Sequence, residues 1–218
     1  MFRYFDHEEY ALNWIKRGRV RFKPLAYYRE LEALDVRGDA KDGTLQHQPK
    51  NGLLLTKEDG TQIRLEGWTF ESSAKGDQIF IHCLSSTLSL ELAKKFGPFC
   101  VEITEIKELT SRIKKRENLG SKLDYAQVYH GKVDYRPFDA APDVNWALPE
   151  RLALIKPPRF AVEDEYRIAI GTRGAFDVEN VDLLLRGQDG NDRSQGQISN
   201  GFEIELGSLS EFAKLRRL

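Results

Sequence analysis

The chain has 218 residues, of which 33 are basic and 34 acidic for a formal net charge of -1, so no global field draws it to nucleic acid and any such contact must be local. With 40% hydrophobic and 31% charged residues it has the balance of a soluble globular protein, long enough to bury a sizeable core, and it is expected to form one domain. Its apolar runs fall far short of the ~20 residues of a bilayer helix, and the opening MFRYFDHEEY lacks the basic start and apolar core of a signal peptide, which makes a cytoplasmic location without membrane contact the expectation.

MFRYF reads as a first strand, after which Asp6 and Glu9 form a D-x-x-E capping box for a helix that Gly18 ends. Ala11, Leu12, Trp14 and Ile15 make its apolar stripe, and Arg19 to Phe22 alternates charged and apolar residues as a strand does. Pro24 opens a second helical segment, LAYYRELEAL, followed by the polar loop DVRGDAKDGT, which carries Arg37 and Asp39. LLLT and QIRL around KEDG have a hairpin signature, and Trp68 to Glu71 and Gln78 to Leu84 read as further strands. The second of these runs into Ser85, Ser86 and Thr87, then a helix over Leu88 to Phe96 that Gly97 and Pro98 stop. PFCVEIT is the next strand and feeds a basic amphipathic helix from Glu105 to Asn118, whose RIKKR run, Arg112 to Arg116, is the densest basic cluster and reads first as a solvated face.

Val128 to Tyr135 is strand-like, and the proline-rich region Pro137 to Pro158 reads as a long ordered loop with one helical turn near Glu150. Asp182 to Leu185 and Phe202 to Leu206 are the final expected strands, and Ser208 with Glu211 suggests a capping box for a C-terminal helix ending in LRRL. Short strands without regular strand-helix alternation predict an α+β fold, with mixed, mostly antiparallel sheets and flanking helices. Cys83 and Cys100 sit in apolar runs and read as buried free thiols, and the four histidines form no metal-ligand spacing, so no metal is expected.

The most informative stretch is Arg159 to Gly171, RFAVEDEYRIAIG. Glu163, Asp164 and Glu165 run into an alternating strand in which Tyr166, Ile168 and Ile170 share one face and Arg167 and Ala169 the other. Acids are depleted inside strands, so Glu165 at the strand entrance either pairs with Arg167 or Arg159 or is presented to a ligand. No phosphate loop, GxSxG elbow, HExxH helix or kinase signature is present.

The opening FRYF with its helix and GRVRF, the arginines of YYRELE and VRGD, the strand IFIHCLSST and the strand EDEYRIAI together resemble the ordered Arg, Ser/Thr, Glu pattern of the ADP-ribosyltransferase superfamily. The layout is most similar to the compact bacterial toxin and phage-defence members that modify DNA or RNA. It departs from the DNA-modifying members in carrying Arg3 and Tyr4 where they have a first-strand histidine.

The resemblance implies an ADP-ribosyltransferase-like fold and NAD as substrate, with Glu165 as catalytic carboxylate, Glu163 as the second choice and Arg37 in the glycine-bearing loop as a catalytic arginine. Arg3 is the first-strand NAD contact with Arg29 as an alternative, Ser85 and Ser86 supply the hydroxyl, and Tyr4, Phe5, Tyr27 and Tyr28 are ring-stacking candidates. A nucleic-acid acceptor and an antitoxin partner follow from the same resemblance, with phosphate contacts expected from the RIKKR helix and the loop from Arg186 to Arg193.

Simpler roles stand beside these: Arg29 pairing with Glu32 or Asp35, Ser85 or Ser86 capping the next helix, and His82 as a satisfied core residue. Two further functions remain open from the residues alone. One is a Mg²⁺-dependent nuclease built on Asp39, Asp42, Glu163 and Glu165. The other is a binding module without chemistry.

Overall fold

In the computed structural model, which describes residues 1–31, 42–116, 123–137, 139–187 and 201–218, the chain opens as strand, helix, strand. β1 (Phe2–Phe5) leads to α1 (Glu8–Arg17), whose N-cap is His7 in extended backbone without a side-chain cap, so the capping box expected from Asp6 does not form. Glu8 and Glu9 in its first turn and Lys16 and Arg17 in its last suit the helix dipole instead. Gly18 ends the helix in the left-handed region at φ 61, donating to the Trp14 carbonyl. Ala11 and Trp14 are buried and Ile15 partly so, while Leu12 is left exposed at the flank of the stripe.

β2 (Arg19–Pro24), α2 (Leu25–Leu31), β3 (Thr44–His47), the hairpin β4 (Leu53–Thr56) and β5 (Gln62–Leu65), β6 (Thr69–Ala74) and β7 (Ile79–Ser85) follow. Next come α3 (Leu90–Phe96), β8 (Phe99–Ile103), α4 (Ile106–Lys114), β9 (Leu123–Lys132) and β10 (Asp134–Tyr135). The proline-rich region is ordered around a 3-10 turn, α5 (Pro149–Leu152) and β11 (Ile155–Lys156), which pairs in parallel with β10. β12 (Glu165–Thr172), β13 (Val181–Arg186), β14 (Phe202–Glu205) and β15 (Ala213–Arg217) complete the chain.

The fold is α+β with mostly antiparallel sheets and few helices. An eight-stranded sheet runs β14-β2-β7-β1-β8-β15, with β12 on the far side of β7 and β9 beyond it. A separate three-stranded sheet runs β13-β6-β3. β7 and β12 are the hub and are buried on both faces. Phe80, Leu84, Tyr166, Ile168 and Ile170 point into one apolar cluster and Ile79, Ile81 and Ala169 into the other, which is the face division expected for the acidic strand. No helix among the described residues is long and apolar enough to cross a membrane.

The C-terminal segment departs from expectation. It is strand β15, antiparallel to β8 through Ala213↔Ile103 and Leu215↔Val101, with Arg216 paired to Glu102. A helix there would leave the outer edge of β8 unpaired and lift Phe212 out of the core, whereas the strand buries Phe212 and satisfies the edge. Replacing Phe212 with Ala should therefore lower stability in urea denaturation by about 3–5 kcal/mol, while Glu211→Ala, which a capping box would make costly, should stay within about 0.5 kcal/mol because its pairing with Arg112 is exposed.

Candidate functional site

The site is created by a shortage of edge. β12 covers one edge of β7 along its whole length, from Glu165↔Ser85 to Gly171↔Ile79. The other edge is shared: β2 pairs at Phe80 and Ile81, and β1 pairs at Ser85. Between them β1 and β2 diverge, and Arg3 Nη1 donates to the Cys83 carbonyl at 2.8 Å where a strand would otherwise bond. A cleft of about 410 Å³ opens at this fork, of a size ordinary for small-molecule sites. Seven aromatic residues, Phe2, Tyr4, Phe5, Tyr10, Tyr27, Tyr28 and Phe96, are among those that line it. Tyr27 and Tyr28 meet edge to face at 5.4 Å between centroids, and Lys23 Nζ lies 4.4 Å from the Tyr27 centroid.

The floor is ionic. A 3-10 turn over Pro158–Glu163 ends at Asp164, which has φ 38 and ψ 53, the one left-handed non-glycine among the described residues. That turn lets Glu163 and Glu165 both reach the cleft and the same Lys156 ammonium, a conformation Asp tolerates better than most residues. Asp164 is itself clamped, its carbonyl accepting from the Ser86 N–H at 2.7 Å and its carboxylate from Thr87 Oγ1 at 2.5 Å. The Glu165 N–H donates to the Tyr135 hydroxyl at 2.8 Å.

From there a chain of alternating charges crosses the buried floor. Arg167, only 1% exposed, donates from Nη1 and Nη2 to the two Asp42 oxygens at 2.7 and 2.9 Å, from Nη1 to the Ala153 carbonyl at 2.8 Å and from Nε to Glu165 Oε1 at 2.7 Å. Lys156 Nζ lies 3.1 Å from Glu165 Oε2 and 2.7 Å from Glu163 Oε2, and Lys95 Nζ donates to Glu163 Oε1 at 2.7 Å. Three acids and three bases thus balance.

Burial alone would raise the Glu165 carboxyl, but Arg167 and Lys156 outweigh it and hold it well below the usual carboxylate range. Burial likewise works against the charge on Lys156, yet the carboxylates led by Glu165 keep it firmly protonated. Cys83, whose thiol hydrogen-bonds Glu165, is pushed well above the ordinary thiol range by burial and by that carboxylate, so it is inert rather than nucleophilic.

Among the residues marked out by sequence, Arg3, Tyr4, Tyr28, Ser85, Glu163 and Glu165 all line this one cleft. Glu165 pairs with Arg167 as its simpler role required, and it does so inside the cleft. Tyr4 also has a structural task, its hydroxyl donating to the Thr87 carbonyl and accepting from the Ser89 N–H. Ser85 Oγ closes a turn on Thr87, and the helix cap is Ser89, whose side chain accepts from the Glu91 and Leu92 amides.

Ser86 does not line the cleft. Arg29 does not either: its guanidinium donates to the carbonyls of Asp42, Gly43 and Ala74 and so locks α2 to the start of β3. Arg37 and Asp39 lie outside the described residues. Of the carboxylates of the nuclease alternative, those in the described residues are committed elsewhere, Asp42 to Arg167 and both glutamates to lysines, and among the described residues no group of three His, Cys, Asp or Glu could hold a metal ion. In the RIKKR helix Arg112 is tied to Glu108, Glu211 and the Ser208 carbonyl. Arg186, at the start of the other expected phosphate-contact segment, pairs with Glu71, and residues 188–193 lie outside the described ones.

Sequence reasoning missed Lys156 and Tyr135. Lys156 belongs to the two-residue strand β11, too short for periodicity to reveal, and Tyr135, at the end of a stretch read as a strand, carried no sign of its bond to Glu165. A lysine embedded in ALIKPP was the available signal. His82 is a core residue as expected, 2% exposed, with Nδ1 on the Arg21 carbonyl at 3.0 Å and its ring stacked on Trp14, but it is satisfied only in part, since its buried Nε2 has no hydrogen-bond partner among the described residues. No family model, no curated protein and no solved structure matches this chain.

Two outcomes follow from this geometry. Arg167→Met would leave Asp42 and Glu165 buried without their shared cation and should lower stability by about 3–5 kcal/mol in urea. Burial, aided by Arg3, pushes His82 down to about 3, so the native state keeps it neutral while the unfolded chain protonates below about pH 6.5. Its contribution is therefore full above that value and is lost as pH falls, by roughly 2 kcal/mol at pH 5. The fall in stability between pH 7.5 and 5 should be smaller by that amount in His82→Leu, measured from urea midpoints.

Proposed function

We propose that this chain is an NAD-dependent ADP-ribosyltransferase with an ADP-ribosyltransferase-like fold, and that the fork between β1 and β2 is its NAD site. The observation that carries the reading is that Arg3, Ser85 and Glu165, from the first strand, the end of a middle strand and the entrance of a late one, line one cleft with several aromatic rings. Cleaving the nicotinamide glycosidic bond builds positive charge on the ribose, and a fixed carboxylate stabilises that charge more in the transition state than in the ground state.

Glu165 is permanently ionised by its cations, so it acts by a short hydrogen bond to a ribose hydroxyl and not as a proton acceptor in solution. Arg3 offers charge-assisted hydrogen bonds to the pyrophosphate, and Tyr27, Tyr28 and Phe96 offer stacking surface for a base or the nicotinamide ring. A nucleic-acid acceptor, a toxin or anti-phage role, an antitoxin partner and a cytoplasmic setting belong to the same proposal and rest on the sequence resemblance alone.

One observation favours a second reading, that of a nucleotide-binding module without chemistry: the Glu165 carboxylate is 5% exposed and salt-bridged on both oxygens. Incubation with NAD labelled on the adenylate, with DNA, RNA and cell lysate as acceptors, separates the two. Nicotinamide release and label transfer are expected from the wild type, with Glu165→Gln slower by roughly 10²- to 10³-fold and Arg3→Ala weakening KM for NAD. No nicotinamide release and no label transfer, with wild type equal to Glu165→Gln, would discard the transferase and leave the binding module.

A further inference from the structure

We infer that Lys156 is a positioning residue for Glu165, setting the rotation of its carboxylate for the reaction, and that Glu163 is the anchor of that lysine and not a second catalytic carboxylate. The inference rests on the transferase reading for its role in turnover. The geometry behind it is a two-point hold. The last torsion of a glutamate is soft, so a single contact does not fix the carboxylate plane. Arg167 comes from the same strand two residues on and bonds Glu165 Oε1 at 2.7 Å, with a weaker second contact to Oε2 at 3.3 Å, while its terminal nitrogens are committed to Asp42 and Ala153. Lys156 approaches Oε2 at 3.1 Å from a different element. Together they pin both oxygens.

The element that carries Lys156 is built to hold it. β11 pairs with β10 so that Lys156 stands opposite Tyr135, and Tyr135 is the residue whose hydroxyl takes the Glu165 N–H. The same pair of short strands therefore grips Glu165 by its backbone and by its side chain. The Lys156 ammonium is 4.4 Å from the Phe160 centroid and 2.7 Å from Glu163 Oε2, and the residue is 5% exposed, so it has little freedom to leave. Both oxygens of Glu163 are bonded by lysines, Lys95 on Oε1 and Lys156 on Oε2. That arrangement suits an anchor and not a group that must engage substrate.

The charged and titratable neighbours of Glu165 are Arg167 on β12, Lys156 on β11, Cys83 on β7 and Tyr135 on β10, with Tyr28 on α2, Glu163 and Asp42 beyond them. Removing Lys156 leaves Arg167 as the only cation in contact with the carboxylate among the described residues.

The test uses the full chain with Lys156→Met, which keeps the stem against Phe160, Lys156→Arg, which restores a cation, and Glu163→Gln, which leaves the lysine in place but unanchored. The Glu165 side-chain carboxyl is followed by ¹³C NMR between pH 7 and 4, assigned by its loss in Glu165→Gln, over the range where near-ultraviolet circular dichroism stays native. We expect a flat titration in wild type, a titration moved up into this window in Lys156→Met, recovery in Lys156→Arg and a smaller shift in Glu163→Gln. In the nicotinamide-release assay, kcat should fall roughly 10- to 100-fold in Lys156→Met with KM for NAD nearly unchanged, and Lys156→Arg should recover part of it.

An unmoved Glu165 titration in both Lys156→Met and Glu163→Gln overturns the inference whatever the activity. A moved titration with wild-type kcat also overturns it. A wild type that releases no nicotinamide removes the transferase reading, and the titration then decides by itself whether Lys156 holds the carboxylate.

Discussion

The interaction on which the rest depends is the buried guanidinium of Arg167 between Asp42 and Glu165. An arginine cannot shed its proton, so a site that buries it to 1% exposure must surround it with acceptors or pay several kcal/mol for an unpaired charge. Here five hydrogen bonds reach it, from two carboxylates and a carbonyl. Asp42 stands just ahead of β3, Ala153 just after α5, and Glu165 on β12 itself. One side chain thus ties together parts of the chain separated by more than a hundred residues, and the segment around β3 can be placed only where its aspartate meets that cation.

The same need for pairing extends the network. Two carboxylates around Arg167 exceed its single charge, and Lys156 restores the balance at Glu165. Glu163 then balances Lys156 and Lys95 balances Glu163. Each group is buried more deeply toward Arg167 and more exposed toward Lys95, whose side chain is 20% exposed. The arrangement stays neutral overall, which is what allows a row of charges to form the floor of a cleft between two apolar clusters. The left-handed Asp164 is the backbone counterpart: it admits local strain so that Glu163 and Glu165 converge, and it is held there by Ser86 and Thr87 from the end of β7.

The cleft has a topological cause. β7 offers one edge to two strands, and neither β1 nor β2 covers it completely. Arg3 completes the hydrogen bonding at the gap through the Cys83 carbonyl, so a residue read from sequence as a ligand contact is also part of the sheet's own accounting. The aromatic side chains of β1, α2 and α3 gather at this fork because the strands that would have covered it have separated.

Much of this was legible in the order of residues. Alternation in EYRIAI fixed which side chains of β12 face each cluster, Gly18 ended α1 because only a residue at ease with φ 61 closes that helix, and the turn in KEDG set the β4–β5 hairpin. Local periods and turn chemistry suffice for such features because they involve neighbours in the chain. The C-terminal segment was different. Its capping-box spacing favoured a helix, and the unpaired edge of β8, invisible in the sequence, made it a strand. The acidic stretch also pointed to Glu165 and to its pairing with Arg167 on the same strand, but whether that carboxylate was a surface charge or part of a cleft depended on Lys156 meeting it from β11 and on Asp42 meeting the far side of Arg167. Sequence determined which residues carry charge and which face of a strand they occupy; tertiary structure decided which charges are neighbours, because burial makes pairing obligatory and only the folded chain brings the partners within reach.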